Sequence, residues 1–383
     1  MTFPENNVIN IMQTCGIDLV TTLPCDRIKN LLALISITFP EIRLTREENG
    51  IGICAGAYMA GAKPMMVIQS TGLGNMINAI ESLNIACRIP LPILASWRGV
   101  YKEKIEAQVP LGVHLPDILK GAGIKNTIID DPKKLSLLGE VISDAYDNLN
   151  PHVALVSPRV WKNSNCCVWK ERGLPLIRKP SFDCKLTGNT LKPEMIRFDA
   201  ISAIAQELEN EIAVVNLGIP CKEMYAARDR NLTYYMLGSM GLASSIGLGL
   251  SLRSKKKVVV LDGDGSILMN PNALMEIGSL KPSNLIIIIL DNASYGSTGS
   301  QETCTARMID LEILARCCGF PNTVKAHTKN ELVAALKISQ GLNELSLIHV
   351  ILKPGNMSFP NISLTPTEIT ERFRNELTVS NLL

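Results

Sequence analysis

The chain has 383 residues, 46% hydrophobic and 19% charged, with a formal net charge of +2. That length accommodates two ordinary domains, each with its own core. The near-neutral charge argues against nucleic-acid or membrane-surface binding, and the longest apolar run, 285–290, is far too short to span a bilayer. Eleven cysteines occur without a C-x-x-C pair. The neighbours Cys166-Cys167 and Cys317-Cys318 are poor candidates for a shared metal or a mutual bond. Reduced thiols in a soluble, cytoplasmic protein are the expectation. The opening MTFPENNVIN lacks a basic region followed by an apolar stretch, so no signal peptide is expected.

In chain order, DLVTTL (18–23) reads as a strand. The next stretch places Ile28, Leu31, Leu32 and Ile35 on one helical face, with Asp26 available as a cap. LTREENGIGICAGAYMAGAKP (44–64) then sets Glu47 and Glu48 at a strand-to-helix junction. Small residues follow, which allow a cofactor or another chain to approach closely. Further strands are expected at 64–70, 92–97, 126–130 and 152–157, with helical patterns between most of them, the clearest at 134–149. Such alternation implies βαβ units and a parallel sheet covered on both faces.

Residues 162–195 lack periodicity and are rich in Pro, Gly, Asn, Lys and Ser, which reads as an interdomain linker. Beyond them the alternation resumes with strands at 212–218, 257–263, 284–290 and 346–352, and late helices near 309–318 and 328–340. Lys255-Lys256-Lys257 reads as a solvated turn. The expected class is α/β, with two doubly wound parallel-sheet domains at 1–162 and 196–383 joined by a linker at 163–195. Neither half repeats the other's sequence, so any duplication is one of fold.

The sharpest signal is LDGDGSILMN (261–270), followed by NLIIIIL and Asp291-Asn292. An apolar strand ending in Gly-Asp-Gly places Asp264 at the carboxyl edge of a parallel sheet, where such sheets bind ligands. Asn270-Pro271 reads as a cap and first turn, with Ala273, Leu274, Ile277 and Leu280 as the buried face of the next helix. The second strand delivers Asn292, and the turn containing Ser294 brings main-chain carbonyls to the same edge. Carboxylate, amide and carbonyl oxygens suit Mg²⁺ or Ca²⁺, with open positions for a diphosphate sharing the ion. Gly263 and Gly265 let the backbone approach that diphosphate.

With 25 residues between Gly265 and Asp291, the segment resembles the signature of thiamine-diphosphate-dependent enzymes: Gly-Asp-Gly, a spacer, then Asn-Asn. It departs at the first Asn, which is Asp291 here; the metal-ligating second Asn is retained as Asn292. The resemblance implies the thiamine-diphosphate-binding fold, with 1–162 as pyrimidine-binding and 196–383 as diphosphate-binding domain, and thiamine diphosphate with Mg²⁺ as cofactors. It assigns Asp264, Asn292 and Ser294 to the metal. Gly238, Ser239 and Ser266 would lie near the thiazolium or diphosphate, and Met240, in LGSMGLASS, would be the apolar wedge that holds the cofactor bent. Glu47 would be the carboxylate against the aminopyrimidine, since Gly56 follows it by the family's interval; Glu48 is the rival. In this family the two kinds of domain meet across a subunit boundary. A homo-oligomer, at least a dimer, is therefore expected, with Glu47 of one chain acting on cofactor held by Asp264 of another.

QSTGLGNMINAIESLN (69–84) and WRGVYKEKIEAQVPLG (97–112) are similar to segments shared by the decarboxylases of sulfopyruvate and phosphonopyruvate, while LVTTLPCDRIKNLL (19–32) and STGSQ (297–301) are more similar to the sulfopyruvate type. The reaction implied is 3-sulfopyruvate to sulfoacetaldehyde and CO₂, towards coenzyme M. A phosphonopyruvate decarboxylase and a non-catalytic diphosphate-binding module are the rivals. A sulfonate wants positive charge and donors. Arg98, Lys104 and Gln108 are candidates by loop position, and the proton donor stays open.

Overall fold

A computed structural model describes residues 3–168 and 191–379. Most of the linker expected at 163–195 lies outside these residues. Each half is built on a six-stranded parallel sheet. The first contains β1 (Leu19–Thr22), β2 (Glu41–Arg43), β3 (Pro64–Gln69), β4 (Leu91–Ser96), β5 (Lys125–Ile129) and β6 (Pro151–Val156), in the order β2-β1-β3-β4-β6-β5. The second contains β7 (Ile212–Val215), β8 (Thr233–Tyr235), β9 (Val258–Gly263) and β10 (Leu285–Asp291). A short antiparallel hairpin, β11 (Ser294–Tyr295) with β12 (Gln301–Glu302), stands apart from it. After that hairpin come β13 (Asn322–Ala326) and β14 (Ser346–Ile351), giving the sheet order β13-β14-β10-β9-β7-β8.

Numbered from its own first strand, the second sheet has the same order as the first, read from the opposite edge. The duplication expected of the fold is therefore present. Parallel strands covered on both faces read as continuous apolar runs, and β10, buried at all seven positions, is the extreme case. The strands that sequence patterning passes over, β2, β8 and β13, are all edge strands. Two expectations need correction. Asp26 caps no helix, because its carboxylate accepts from Arg98. Leu280 is 41% exposed, so the buried face of the Asn272–Leu280 helix ends at Gly278.

The halves pack through two helices, Glu47–Met59 and Ala243–Ser251. A Cβ on Gly56 would stand 2.1 Å from the Ile246 carbonyl oxygen, and one on Gly249 would stand 2.1 Å from that of Ile53. The small residues in both segments thus permit backbone-to-backbone contact. Arg374, on the helix Pro366–Val379, closes the joint by donating to the Tyr58 hydroxyl (2.7 Å) with its guanidinium over the ring. One hydrophobic cluster runs through both halves, and a second packs on the other face of the first sheet. Among the described residues no helix is long and apolar enough to cross a membrane.

Overpacking a close helix contact typically costs about 1–3 kcal/mol. Gly56→Ala is expected to lower stability by that amount in denaturant melts. Gly139→Ala, in a helix where the new methyl would meet Ile11 at an ordinary 3.6 Å, is expected to be neutral or to stabilise by about 0.5–1 kcal/mol.

Candidate active site

In both sheets the strand order reverses between the first and third strands, β1 and β3 in one and β7 and β9 in the other, and again at the far edge. Crevices at such reversals, beyond the carboxyl ends of the strands, are where open α/β sheets hold ligands. Beyond β7 and β9 lies a cavity of about 140 Å³ whose wall includes Asn216, Met240, Gly263, Asp264, Gly265 and Ser266. Opposite stand Asn292, Ser294 and the turn Tyr295–Thr298, with Arg197 at one side.

Asp264 opens a short helix directly after β9 and is 3% exposed. Its Oδ2 accepts from the hydroxyls of Thr303 (2.6 Å) and Thr305 (3.4 Å). Burial, with the charge of Asp291 added, pushes its pKa up to about 6. Asn292 Nδ2 and Ser294 Oγ are buried without a hydrogen-bond partner, while Asn292 Oδ1 accepts from the Ser294 N–H. A carboxylate that resists ionisation, beside unpartnered polar atoms, is a donor set waiting for a ligand. Among the described residues no group of three or more His, Cys, Asp or Glu forms a metal site. A cation here would therefore be completed by amide, carbonyl and ligand oxygens, which suits a hard divalent ion.

Gly265 is needed for space, because a Cβ there would stand 2.4 Å from the Tyr295 ring. The signature's departure also has a physical account. Asp291 Oδ1 accepts from the Ala293 N–H and the Thr305 hydroxyl, and Oδ2 accepts from buried His349 Nε2 at 2.8 Å. Asp291 thus sets the turn that presents Asn292 and ties it through Thr305 to Asp264.

The glycine-rich segment before the motif divides its roles. Met240 and Ser266 border the cavity, and Ser266 Oγ accepts from the Gly241 N–H. Gly238 and Ser239 face the other half instead. Ser239, with φ of 60°, shares a 2.7 Å hydroxyl contact with Ser82, and a Cβ on Gly238 would stand 2.7 Å from the Ser82 carbonyl. Ser82 lies in a π-helical turn at Ile80–Ile85, a distortion frequent at functional sites.

Glu47 begins the helix Glu47–Met59. Its carboxylate lies against Gly72, where a Cβ would stand 2.3 Å from Oε1. Glu48, its rival, is engaged by Arg46 at 2.9 Å. The helix start is fixed from the other half. Glu276 accepts from the Thr45 N–H (2.6 Å), the Thr45 hydroxyl (2.9 Å) and Asn49 Nδ2 (2.8 Å), and Asn49 Oδ1 accepts from Asn270 Nδ2. Asn270 therefore bonds Asn49 rather than capping a helix. All these contacts form within one chain.

The substrate candidates fare differently. Arg98 is 4% exposed and donates to Glu103 through Nε (2.7 Å) and Nη2 (2.9 Å), and to Asp26 (2.9 Å) and Gln69 (3.0 Å) through Nη1. Its hydrogen bonds hold the Glu103 carboxyl far below the usual range. With these donors taken, Arg98 braces the edge at β1, β3 and β4 and is not free for a sulfonate. Lys104 is exposed, Gln108 is half-buried with an unpartnered Oε1, and none of the three borders the cavity. Sequence reasoning missed Thr303, Thr305, Asn49, Asn216, Glu276 and Arg197. Only His349, a polar residue inside an apolar strand, advertised its network.

Residues 5–118 match the family described as thiamine pyrophosphate enzyme, N-terminal TPP binding domain, and residues 218–350 match the corresponding C-terminal TPP binding domain. The chain is 63% identical to a sulfopyruvate decarboxylase of Methanosarcina acetivorans over 98% of both chains. It is 41% identical to a sulfopyruvate decarboxylase subunit beta of Methanococcus maripaludis, over 48% of this chain and 98% of that one. A solved structure described as a thiamin diphosphate-dependent enzyme from Mycobacterium smegmatis shares the fold, with a TM-score of 0.71 and 10% identity over 93% of this chain and all of that one.

The raised pKa of Asp264 gives a pH test. Its ionised form is disfavoured by the fold, so its adverse contribution to apo stability is full above about pH 6 and has vanished once the pH reaches its ordinary 3.8. A cation competes with that proton. Calorimetric Mg²⁺ affinity is expected to fall as the pH drops through about 6, and Asp264→Asn is expected to remove that dependence.

Proposed function

This chain belongs to the sulfopyruvate decarboxylase family of thiamine pyrophosphate enzymes, and from that membership we propose that it decarboxylates 3-sulfopyruvate to sulfoacetaldehyde and CO₂, a step towards coenzyme M. One observation carries the reading at the level of the site. The Gly-Asp-Gly element that borders the cavity also runs, through Asn270, into the hydrogen bonds that fix the helix bearing Glu47. Two carboxylates of different character are held to one joint. Asp264 is buried behind two threonine hydroxyls, whereas no ion pair or hydrogen bond engages Glu47 among the described residues.

Thiamine diphosphate, when bound, supplies the electron sink that a 2-keto acid needs in order to lose CO₂. The residues present fit it. We assign Asp264, Asn292 and the Ser294 carbonyl to a Mg²⁺ ion, and Gly263, Gly265 and Ser266 to close backbone approach around a diphosphate. Met240 supplies the apolar surface of the wall, and Gly238 and Ser239 hold that wall to the other half. Glu47 holds and returns a proton at its carboxylate. The net change is loss of CO₂ and arrival of one proton on the carbon that carried it.

The match of a separate beta subunit to about half of this chain supports reading it as both subunits joined, at 1–162 and 196–383. Half-exposed Leu237, Met269 and Met275 around the motif support a further contact between copies, so a homo-oligomer, at least a dimer, is the assembly we infer. Free thiols at every cysteine among the described residues support a reducing, cytoplasmic setting.

Glu47→Gln tests the assignment at the catalytic step. General acid–base groups contribute about 10²–10⁴-fold. CO₂ release from sulfopyruvate is expected to fall by at least the lower figure, with the dissociation constant for thiamine diphosphate unchanged. Unchanged turnover would remove Glu47 from the mechanism.

A further inference from the structure

We infer that Arg197 is a binding residue for the diphosphate in the Asp264 cavity, its Nη1 supplying the positive charge that this wall otherwise lacks. Arg197 opens the helix Arg197–Glu207 and is 5% exposed. Its Nε and Nη2 donate to the two oxygens of fully buried Glu223 at 2.7 and 3.1 Å. Nη2 also donates to Asn356 Oδ1 at 2.8 Å, and Asn356 Nδ2 donates to the Gly296 carbonyl at 2.7 Å. The guanidinium plane is therefore fixed on one side. Nη1 has no hydrogen-bond partner among the described residues and stands 3.4 Å from where a Cβ on Gly296 would be, at the cavity wall.

Charge explains the arrangement. Among the sixteen residues that border the cavity, Arg197 is the one basic side chain, and Asp264 is the one acid. A diphosphate ester with one divalent cation keeps net negative charge, and burying it beside Asp264 calls for a further cation. Arginine suits that task, because its planar fork can be anchored by a carboxylate on one side and still offer donors on the other. Glu223 then acts as the positioning residue that orients the fork.

The inference rests on the reading of the cavity as the cofactor site, and the test separates the two. Calorimetry on the full chain in Mg²⁺ would compare thiamine diphosphate, inorganic pyrophosphate and thiamine for the wild type and two variants. Arg197→Lys keeps a partner for Glu223 but cannot both hold it and reach the cavity. Arg197→Met with Glu223→Gln removes both charges together, so no buried carboxylate is left alone. A charge-assisted hydrogen bond is worth about 1.5–3 kcal/mol, or roughly ten- to a hundredfold in affinity. That loss is expected for thiamine diphosphate and pyrophosphate in whichever variants melt at the wild-type temperature, with thiamine unaffected. Wild-type affinity for both diphosphates in a folded variant would overturn the role. So would a loss confined to the KM for the keto acid, which would hand Arg197 to the substrate. Absence of thiamine diphosphate binding by the wild type would instead strike the cavity reading itself, and the inference with it.

Discussion

Asn49 is the point on which the arrangement turns. Its side chain is completely buried, so both ends of its amide must find partners inside the protein. Asn270 supplies the donor and Glu276 the acceptor, each from the opposite half of the chain. Asn49 lies two residues beyond Glu47, and Asn270 ends the short helix that Asp264 begins. Leaving a buried polar group unmet costs about 1–3 kcal/mol, so satisfying one amide fixes the relation between the start of the Glu47–Met59 helix and the end of the Asp264–Met269 helix. The glycine contacts between the helices Glu47–Met59 and Ala243–Ser251 serve the same end, because they let the two helix backbones touch.

Because the two sheets share one strand order, they make the same crevice twice, and they use it differently. In the first sheet Arg98 fills the edge beyond β1 and β3, paired with buried Glu103 and with largely exposed Asp26. In the second, the crevice beyond β7 and β9 is left as a cavity edged by glycine, hydroxyls and unpartnered amide.

Much of this was legible in the sequence, for identifiable reasons. Parallel strands buried on both faces leave apolar runs, so every central strand could be read, whereas the edges β2, β8 and β13 could not, β2 and β13 being partly exposed and β8, though buried, only three residues long. Asp264, Asn292 and Glu47 stood out because glycine spacing around them has a steric cause. Arg98 misled, since a cation on a loop reads as available until its carboxylate partners, distant in sequence, are seen. The threonines behind Asp264 and the Asn49–Asn270–Glu276 bonds carry no local signal, because each depends on residues brought together only by the fold. Asp291 departs from the signature. With His349 and Thr305 on its oxygens, it is a supported variation.

The central claim is that this joint carries out thiamine-diphosphate-dependent decarboxylation of sulfopyruvate. The most direct measurement is CO₂ release by the purified chain with thiamine diphosphate and Mg²⁺, comparing sulfopyruvate, phosphonopyruvate and pyruvate under one condition. Turnover that requires the cofactor and strongly prefers sulfopyruvate is the predicted result. Cofactor binding without release of CO₂ from sulfopyruvate would contradict the account.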